Sequence, residues 1–249
     1  MADILDLNRN DYKLCFKASE NDLVPRIENN LSYSEFFENY LLCNRPCIIK
    51  NLSDDWGARK WIKNDNLDVD YFRKNYGTVE VPIADCRKKV YNVQEKCSMK
   101  LDKYLDYWGK YQSNETEECL YLKDWHFTKT FPSENIYRTP KYFASDWLNE
   151  YFSSDSDDYR FVYVGPKGSW TPFHADVFTS YSWSVNICGE KKWLIFPPGE
   201  ENKFKDDFGN LKYDFEDCGG LEKYLVIQKA GEGIFVPSGW HHQVWNLVS

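Results

Sequence analysis

Residues 170–176 read W-T-P-F-H-A-D, and residues 239–246, much later in the chain, read G-W-H-H-Q-V-W-N. Side chains two positions apart on a strand face the same side, so we expect His174 and Asp176 to form a pair of metal ligands. Three of the four histidines in the chain lie in these two stretches. An imidazole from the second stretch would therefore complete a three-ligand metal site.

The surroundings of the H-x-D pair favour a metal site, although so short a motif often arises by chance. Residues 161–164 and 234–236 are aromatic and β-branched, which is typical of strands, and turn residues follow at 166–168 and 237–239. Ligands on strands beside tight turns are held rigidly. Two imidazoles and one carboxylate leave open positions on an octahedral metal, the arrangement of non-haem Fe(II) oxygenases. The sequence predicts such a centre.

Composition and charge limit the class of protein. The chain has 249 residues, of which 42% are hydrophobic and 18% aromatic, enough for one sizeable globular core. Its formal net charge of -8 argues against a nucleic-acid or anionic-membrane partner and fits a basic polypeptide better. The eight cysteines include no C-x-x-C pair, so neither a zinc cluster nor a disulfide framework is indicated.

The location of the protein follows from the missing targeting signals. No apolar run reaches the roughly 20 residues that span a bilayer, and residues 1–6 are acidic where a signal peptide would be basic and then apolar. We therefore expect a cytoplasmic protein, with the nucleus as the alternative, and no membrane partner. The sequence indicates no oligomeric state.

Helical and strand patterns divide the chain unevenly. The S-x-x-E form of residues 32–35 predicts a capped helix, and helices are also expected at 69–76, 99–111 and 142–152. A proline at position 82 favours a sheet edge. The expected strands cover 45–50, 78–83, 119–122, 159–165, 170–177, 180–188, 190–196, 224–229 and 233–237. Helices followed by many short strands predict an α+β protein with a mostly antiparallel jelly-roll core.

Longer motifs carry a family resemblance. Residues 161–198 and 231–247 resemble the core of the JmjC family of Fe(II)- and 2-oxoglutarate-dependent oxygenases, and residues 44–49 with Trp56 resemble its small hydroxylase branch. The resemblance implies a cupin-like double-stranded β-helix. It also implies a single domain over residues 1–249, in which an N-terminal region, 1–115, packs on a core, 116–249. A core of this kind continues beyond position 249, so we expect the chain to lack its C-terminal end.

The same resemblance implies the metal ligands. The family's H-x-D falls on His174 and Asp176. Its distal histidine falls on His242, because Val244 and Asn246 then take the positions of the family's W-[WH]-H-x-V-x-N run. The neighbouring His241 would face the opposite side of a regular strand, since adjacent side chains alternate.

The resemblance further implies a 2-oxoglutarate site. The family's lysine after the H-x-D strand falls on Lys191, whereas Lys192 would point the other way. A buried carboxylate needs such a cation. The hydroxyl groups that bind 2-oxoglutarate in the family fall on Thr171 and Tyr121. Each of these two residues could equally be a structural residue that only packs in its strand. Two further candidates share a face of the intervening strand: Ser184 and Asn186.

The resemblance implies an enzyme that uses Fe(II), 2-oxoglutarate and O2. The hydroxylase branch implies a protein substrate, with lysyl C4-hydroxylation of the eukaryotic translation release factor as the reaction. Alternatives are an Nε-methyl-lysine demethylase, an RNA-directed oxygenase and a non-catalytic cupin-like binding module. The acidic charge and the lack of reader modules disfavour the first two, and the complete ligand set disfavours the third.

Overall fold

The computed structural model describes residues 23–151, 158–215, 220–221 and 224–248. The end of the helix expected at 142–152 lies outside these residues, as do Cys15 and Cys218. None of the helices in the described ranges is long and apolar enough to cross a membrane.

Five short α-helices lie in the described part of the chain, all before the strand that carries the H-x-D motif. The predicted capping box is confirmed, since Ser32 Oγ accepts from Glu35 N and the Glu35 carboxylate accepts from Ser32 N. The helices are α1 (Tyr33–Phe36, continued by a π-helical turn at Phe37–Leu41), α2 (Val69–Tyr76), α3 (Leu101–Gln112), α4 (Phe127–Thr130) and α5 (Trp147–Tyr151).

Fourteen strands lie in the same residues, and most pairings are antiparallel. The first eight are β1 (Arg26–Ile27), β2 (Cys47–Ile49), β3 (Ile62–Lys63), β4 (Asn66–Leu67), β5 (Glu80–Val90), β6 (Val93–Lys100), β7 (Leu120–Trp125) and β8 (Val162–Val164). The others are β9 (Trp170–His174), β10 (Ser182–Val185), β11 (Glu190–Phe196), β12 (Leu225–Lys229), β13 (Gly233–Val236) and β14 (His241–Val248).

The described residues form three four-stranded sheets and one two-stranded sheet, in which β3 pairs with β4. The strand orders of the three larger sheets are β1-β2-β13-β10, β12-β11-β14-β9 and β6-β5-β7-β8. The first two sheets face each other across an apolar core, which we call the lumen core and which contains Ile48, Ile234, Trp193, Ile195 and Val244. The predicted jelly-roll fold is confirmed, because two mostly antiparallel sheets enclose one interior.

The other faces of the sheets are covered by helices and by a long connection. Helices α2 and α3 cover the third sheet through Phe72, Leu105 and Leu122. The segment between β11 and β12 covers the outer face of the second sheet, where Phe196 and Phe215 pack together. Strand β7 pairs with β5, so hydrogen bonding crosses the predicted division between residues 115 and 116.

The third sheet differs most from the sequence prediction. Strand β5 is longer than expected, and β6 was not predicted at all, because most of its residues are exposed and polar. The prediction that Pro82 lies at a sheet edge is correct only at Pro82 itself and not for the whole of β5. Strand β5 lies between two neighbours, but its pairing with β7 begins at Ile83, so nothing on that side needs an N–H from the proline.

Candidate metal centre

The structure brings His174, Asp176 and His242 together at one end of the lumen core. Strands β9 and β14 are antiparallel neighbours, and His242 lies directly opposite His174 in their register. The two imidazole rings are 4.4 Å apart between centroids. One ligand atom from each of the three residues lies within 4.8 Å of the others, a spacing that a single metal ion can bridge.

Asp176 reaches this cluster from outside the strand. The expected strand 170–177 is too long, because β9 ends at His174 and a 3-10 turn begins at Val177. Asp176 is nevertheless extended, with φ -62° and ψ 156°, so it stays on the same side as His174. Ser182 Oγ donates a 2.6 Å hydrogen bond to Asp176 Oδ2, which fixes the carboxylate and leaves its other oxygen for a metal.

A bulge in β9 sets which residues accompany His174. Opposite β14, His174 pairs with His242 and Thr171 pairs with Val244, so three steps along β9 match two along β14. The extra residue lets positions three apart face the same side. Thr171 therefore shares the lumen face with His174, which simple alternation would not predict.

Both ligand imidazoles are held in a form that can bind a metal. His174 Nδ1 lies 2.7 Å from the Pro172 carbonyl oxygen, and His242 Nδ1 lies 3.4 Å from that of Trp240. If each Nδ1 carries the proton, each Nε2 keeps a free lone pair. Burial, reinforced by His242, lowers the pKa of His174 to about 4, so this ring is neutral at pH 7.

His241 lies on the opposite face of β14. Its ring packs on Phe173, with centroids 5.6 Å apart, and its Nδ1 is 3.9 Å from a Glu201 carboxylate oxygen. His242, only 4% exposed, faces the lumen. The register argument that favoured His242 over His241 thus agrees with the geometry.

The residues assigned to 2-oxoglutarate meet nearby. Lys191 Nζ donates to the Tyr121 hydroxyl oxygen at 3.3 Å, although the two residues come from different sheets. Tyr121 is buried, and a Cβ added at Gly165 would lie 2.5 Å from its ring, so the ring has one position. Thr171 lies on the lumen side of β9, as described above. Lys191 and Tyr121 together form a cationic pocket wall that suits a carboxylate.

The other predicted positions behave differently. Ser184 lies on β10 two residues after Ser182 and on the same face, and its carbonyl accepts from Gln228 Nε2. Asn186 lies just beyond the strand, and its amide Nδ2 donates to the Gly189 carbonyl at 2.8 Å, which closes the turn into β11. Lys192 faces away, with its ammonium 4.3 Å from the Trp245 ring centroid.

The sequence analysis missed two groups beside the site. One is Ser182, whose contact with Asp176 depends on a turn that no pattern revealed. The other is the pair Lys123 and Gln94, joined by a 3.2 Å hydrogen bond and buried between strands β7 and β6. A lysine inside an apolar strand was the available signal, because lysine is seldom fully buried unless it is paired.

Aromatic residues surround the approach to the ligands. Phe178, two positions after Asp176, is 72% exposed and has a left-handed backbone with φ 55°. A bulky residue in that region is strained, and such strain clusters at functional sites. The Tyr163 ring lies 6.1 Å from that of Tyr121, and its hydroxyl donates to Asp124 Oδ1.

The donor set fits Fe(II) and 2-oxoglutarate. Two imidazoles and one oriented carboxylate match the facial ligand set of non-haem iron enzymes, and Lys191 with Tyr121 offers a cation and a hydroxyl for a distal carboxylate.

Comparison with known proteins agrees with this reading of the site. A family model described as a cupin-like domain matches residues 33–214. The chain is 46% identical to the "2-oxoglutarate and iron-dependent oxygenase JMJD4" of Gallus gallus over 93% of its length, and 49% identical to that of Danio rerio over 90%. It is 44% identical to the "Arginine-specific demethylase JMJ20" of Arabidopsis thaliana over 90% of its length.

The chain spans 59%, 58% and 54% of the lengths of these three relatives. The family model covers the five helices, the third sheet and β9, which carries His174. The fold, the ligand set and these similarities lead to one assignment: the chain belongs to the cupin-like JmjC domain family.

Proposed function

We propose that this chain is an Fe(II)- and 2-oxoglutarate-dependent protein hydroxylase that acts on a lysine side chain of the eukaryotic translation release factor. The observation that carries the oxygenase part is the convergence of His174, Asp176 and His242 within 4.8 Å, beside a lysine–tyrosine pair suited to a dicarboxylate. The relatives named as iron- and 2-oxoglutarate-dependent oxygenases support the same cofactors.

The protein groups bind and orient, while the bound cofactors supply the oxidation. Iron and 2-oxoglutarate together use O2 to insert one oxygen atom into a C–H bond, with succinate and CO2 as coproducts. His174, Asp176 and His242 would each hold the metal through one ligand atom, and three protein ligands would leave room on it for the cosubstrate. Ser182 fixes the Asp176 carboxylate, and the Pro172 carbonyl fixes the His174 ring.

Lys191 and Tyr121 bind the far carboxylate of 2-oxoglutarate. A buried carboxylate is costly unless it is paired, and the Lys191 ammonium and the Tyr121 hydroxyl can donate to it from a single point. The lumen core, with Trp193 and Val244, closes the interior behind the ligands and limits water there.

Charge and exposed aromatic surface support a cationic protein substrate. The chain carries a net charge of -8. Phe178 and Tyr163 are 72% and 41% exposed, and Asp124 lies against the Tyr163 hydroxyl. An aliphatic stem can pack on such rings while its ammonium meets a carboxylate. Since translation terminates in the cytoplasm, we also propose a cytoplasmic location.

A demethylase is the second candidate, and a relative's name favours it. The similar Arabidopsis protein is named an arginine-specific demethylase. Both reactions need the same metal and cosubstrate site, so the ligand geometry does not separate them. The mass of the product does, because hydroxylation adds one oxygen atom and demethylation removes one methylene unit.

The test is mass analysis of release-factor peptides after incubation with Fe(II), ascorbate and 2-oxoglutarate. We expect a gain of one oxygen on a lysine, with stoichiometric succinate, and no gain with His174→Ala. Loss of a methylene from methylated peptides without any oxygen gain would assign the demethylase instead. Absence of both products, with no succinate formed, would favour a non-catalytic binding module.

A further inference from the structure

Lys123 is a buried cation that the proposed reaction does not yet use. It lies on β7, only 8% exposed, and two residues beyond Tyr121. Leu120 and Leu122 belong to the core beneath the helices, so alternation turns Tyr121 and Lys123 toward the other side of the sheet. There Trp170 of β9 packs against the cluster that contains Tyr121. Lys123 therefore shares the face that binds the cosubstrate.

Lys123 lies on the part of β7 that leads toward the metal ligands. Beyond it the chain continues to His126, whose ring lies 4.9 Å from that of Phe161, and Tyr159 of the same segment lies 6.2 Å from the ring of Phe178, two residues after Asp176. Lys191 marks the other end of the pocket through its contact with Tyr121. Tyr121 and Lys123 thus follow one another along the strand from the distal carboxylate site toward the metal.

Lys123 has one hydrogen-bond acceptor among the described residues. Its Nζ donates to Gln94 Oε1 at 3.2 Å, while Gln94 Nε2 donates to the Trp170 carbonyl at 3.0 Å. An ammonium carries three N–H donors. Asp124 is the neighbouring carboxylate, but its oxygens accept from Lys96 Nζ at 2.7 Å and from the Tyr163 hydroxyl at 3.0 Å.

A buried ammonium with unused donors is costly unless a ligand brings an acceptor. Burial accordingly lowers the pKa of Lys123 in the free protein. Chelation of a metal by a 2-oxo acid uses the keto oxygen and one oxygen of the C1 carboxylate. The second oxygen of that carboxylate then lies inside the protein and needs a donor.

We propose that Lys123, held by Gln94, binds the C1 carboxylate of 2-oxoglutarate at the metal end of the pocket, while Lys191 and Tyr121 bind the C5 carboxylate. This inference rests on the proposed function. Lys123 would then be a second cation that binds the cosubstrate. Its role can be separated from that of Lys191, because the two lysines bind opposite ends of the ligand.

Two ligands separate the two ends. Pyruvate has the C1 carboxylate and the keto group of 2-oxoglutarate but lacks the C5 carboxylate. The protein is loaded with Mn(II), which does not turn over, and each ligand is titrated while water-proton relaxation reports displacement of metal-bound water. Lys123→Met is compared with Lys191→Met, and Lys192→Met is the matched control, since Lys192 faces away.

We expect Lys123→Met to weaken both ligands by the same factor, about 10- to 100-fold, the worth of a charged hydrogen bond. Lys191→Met should weaken 2-oxoglutarate alone, and Lys192→Met neither ligand. Lys123→Gln, which keeps a donor for Gln94, should show the same losses without unfolding, and Lys123→Arg should recover part of the affinity.

Unchanged affinity for pyruvate in both Lys123→Met and Lys123→Gln, with Mn(II) still bound, would overturn the inference. A loss confined to 2-oxoglutarate would also overturn it, because Lys123 would then act at the far end. The proposed function fails separately, if the unsubstituted Mn(II) protein does not bind 2-oxoglutarate at all.

Discussion

His174 is buried in its neutral form, and this predicts how the metal-free protein responds to acid. The folded protein protonates His174 only near pH 4, whereas the unfolded chain does so near the ordinary value of 6.5. Between these values the unfolded state binds more protons, so the free energy of unfolding rises with pH and falls on acidification. The stability contribution is present above pH 6.5 and is lost as the pH falls toward 4.

The size of the effect follows from the same two values. The gap between 6.5 and about 4 corresponds to about 3 kcal/mol, most of which is lost by pH 4.5. Urea unfolding in EDTA and a thiol reductant, followed by tryptophan fluorescence, measures the loss between pH 7 and pH 4.5. The same loss is measured in His174→Gln. Carboxylates that titrate in this range affect both proteins alike, so the difference between the two losses isolates the effect of His174.

We expect the unsubstituted protein to lose about 2 to 3 kcal/mol more than His174→Gln over this interval. Equal losses would refute the reasoning, since His174 would then take up its proton without penalty in the folded state.

Three further predictions test other parts of the site. His242→Ala should lower the affinity for Mn(II) by at least about 100-fold, whereas His241→Ala should change it by no more than a few-fold. Equilibrium dialysis measures both affinities. A larger loss in His241→Ala than in His242→Ala would contradict the assigned register. Ser182→Ala should weaken Mn(II) binding by about 10- to 100-fold, because it releases the Asp176 carboxylate. An unchanged affinity in the same dialysis would show that the hydrogen bond from Ser182 does not orient this carboxylate. Gly165→Ala places a Cβ 2.5 Å from the Tyr121 ring. It should therefore lower the free energy of unfolding by about 1–3 kcal/mol and weaken 2-oxoglutarate binding. Urea unfolding and ligand titration measure the two effects, and wild-type values in both would contradict this packing.

The sequence predicted the parts of the structure that depend on regular periodicity. The spacing of His174 and Asp176 placed both on one side, and the run after His242 put that residue, rather than His241, toward the lumen. Strand β11 has the expected bounds, because a turn at Gly189 precedes it and Pro197 and Pro198 follow it. The family resemblance supplied Lys191 and Tyr121, which lie on different sheets and which no local pattern connects.

Irregular backbone explains why other parts of the site and fold could not be predicted from the sequence. The bulge in β9 brings Thr171 onto the side of His174, and the early end of that strand leaves Asp176 in a turn, where Ser182 can reach it. Strand β6 escaped prediction because a polar, exposed strand has no hydrophobic alternation. Lys123 was overlooked because its position in an apolar strand acquires meaning only when Gln94 and Trp170 are seen beside it.

An anaerobic titration of the chain with Fe(II), followed by 2-oxoglutarate, measures whether His174, Asp176 and His242 hold one iron. We expect one iron per chain and a visible charge-transfer absorption that appears only when 2-oxoglutarate is added. Both should be lost in Asp176→Ala, and the absorption alone should weaken in Lys191→Met. An iron that binds equally well in His174→Ala, Asp176→Ala and His242→Ala would contradict the account, because the metal would then lie elsewhere.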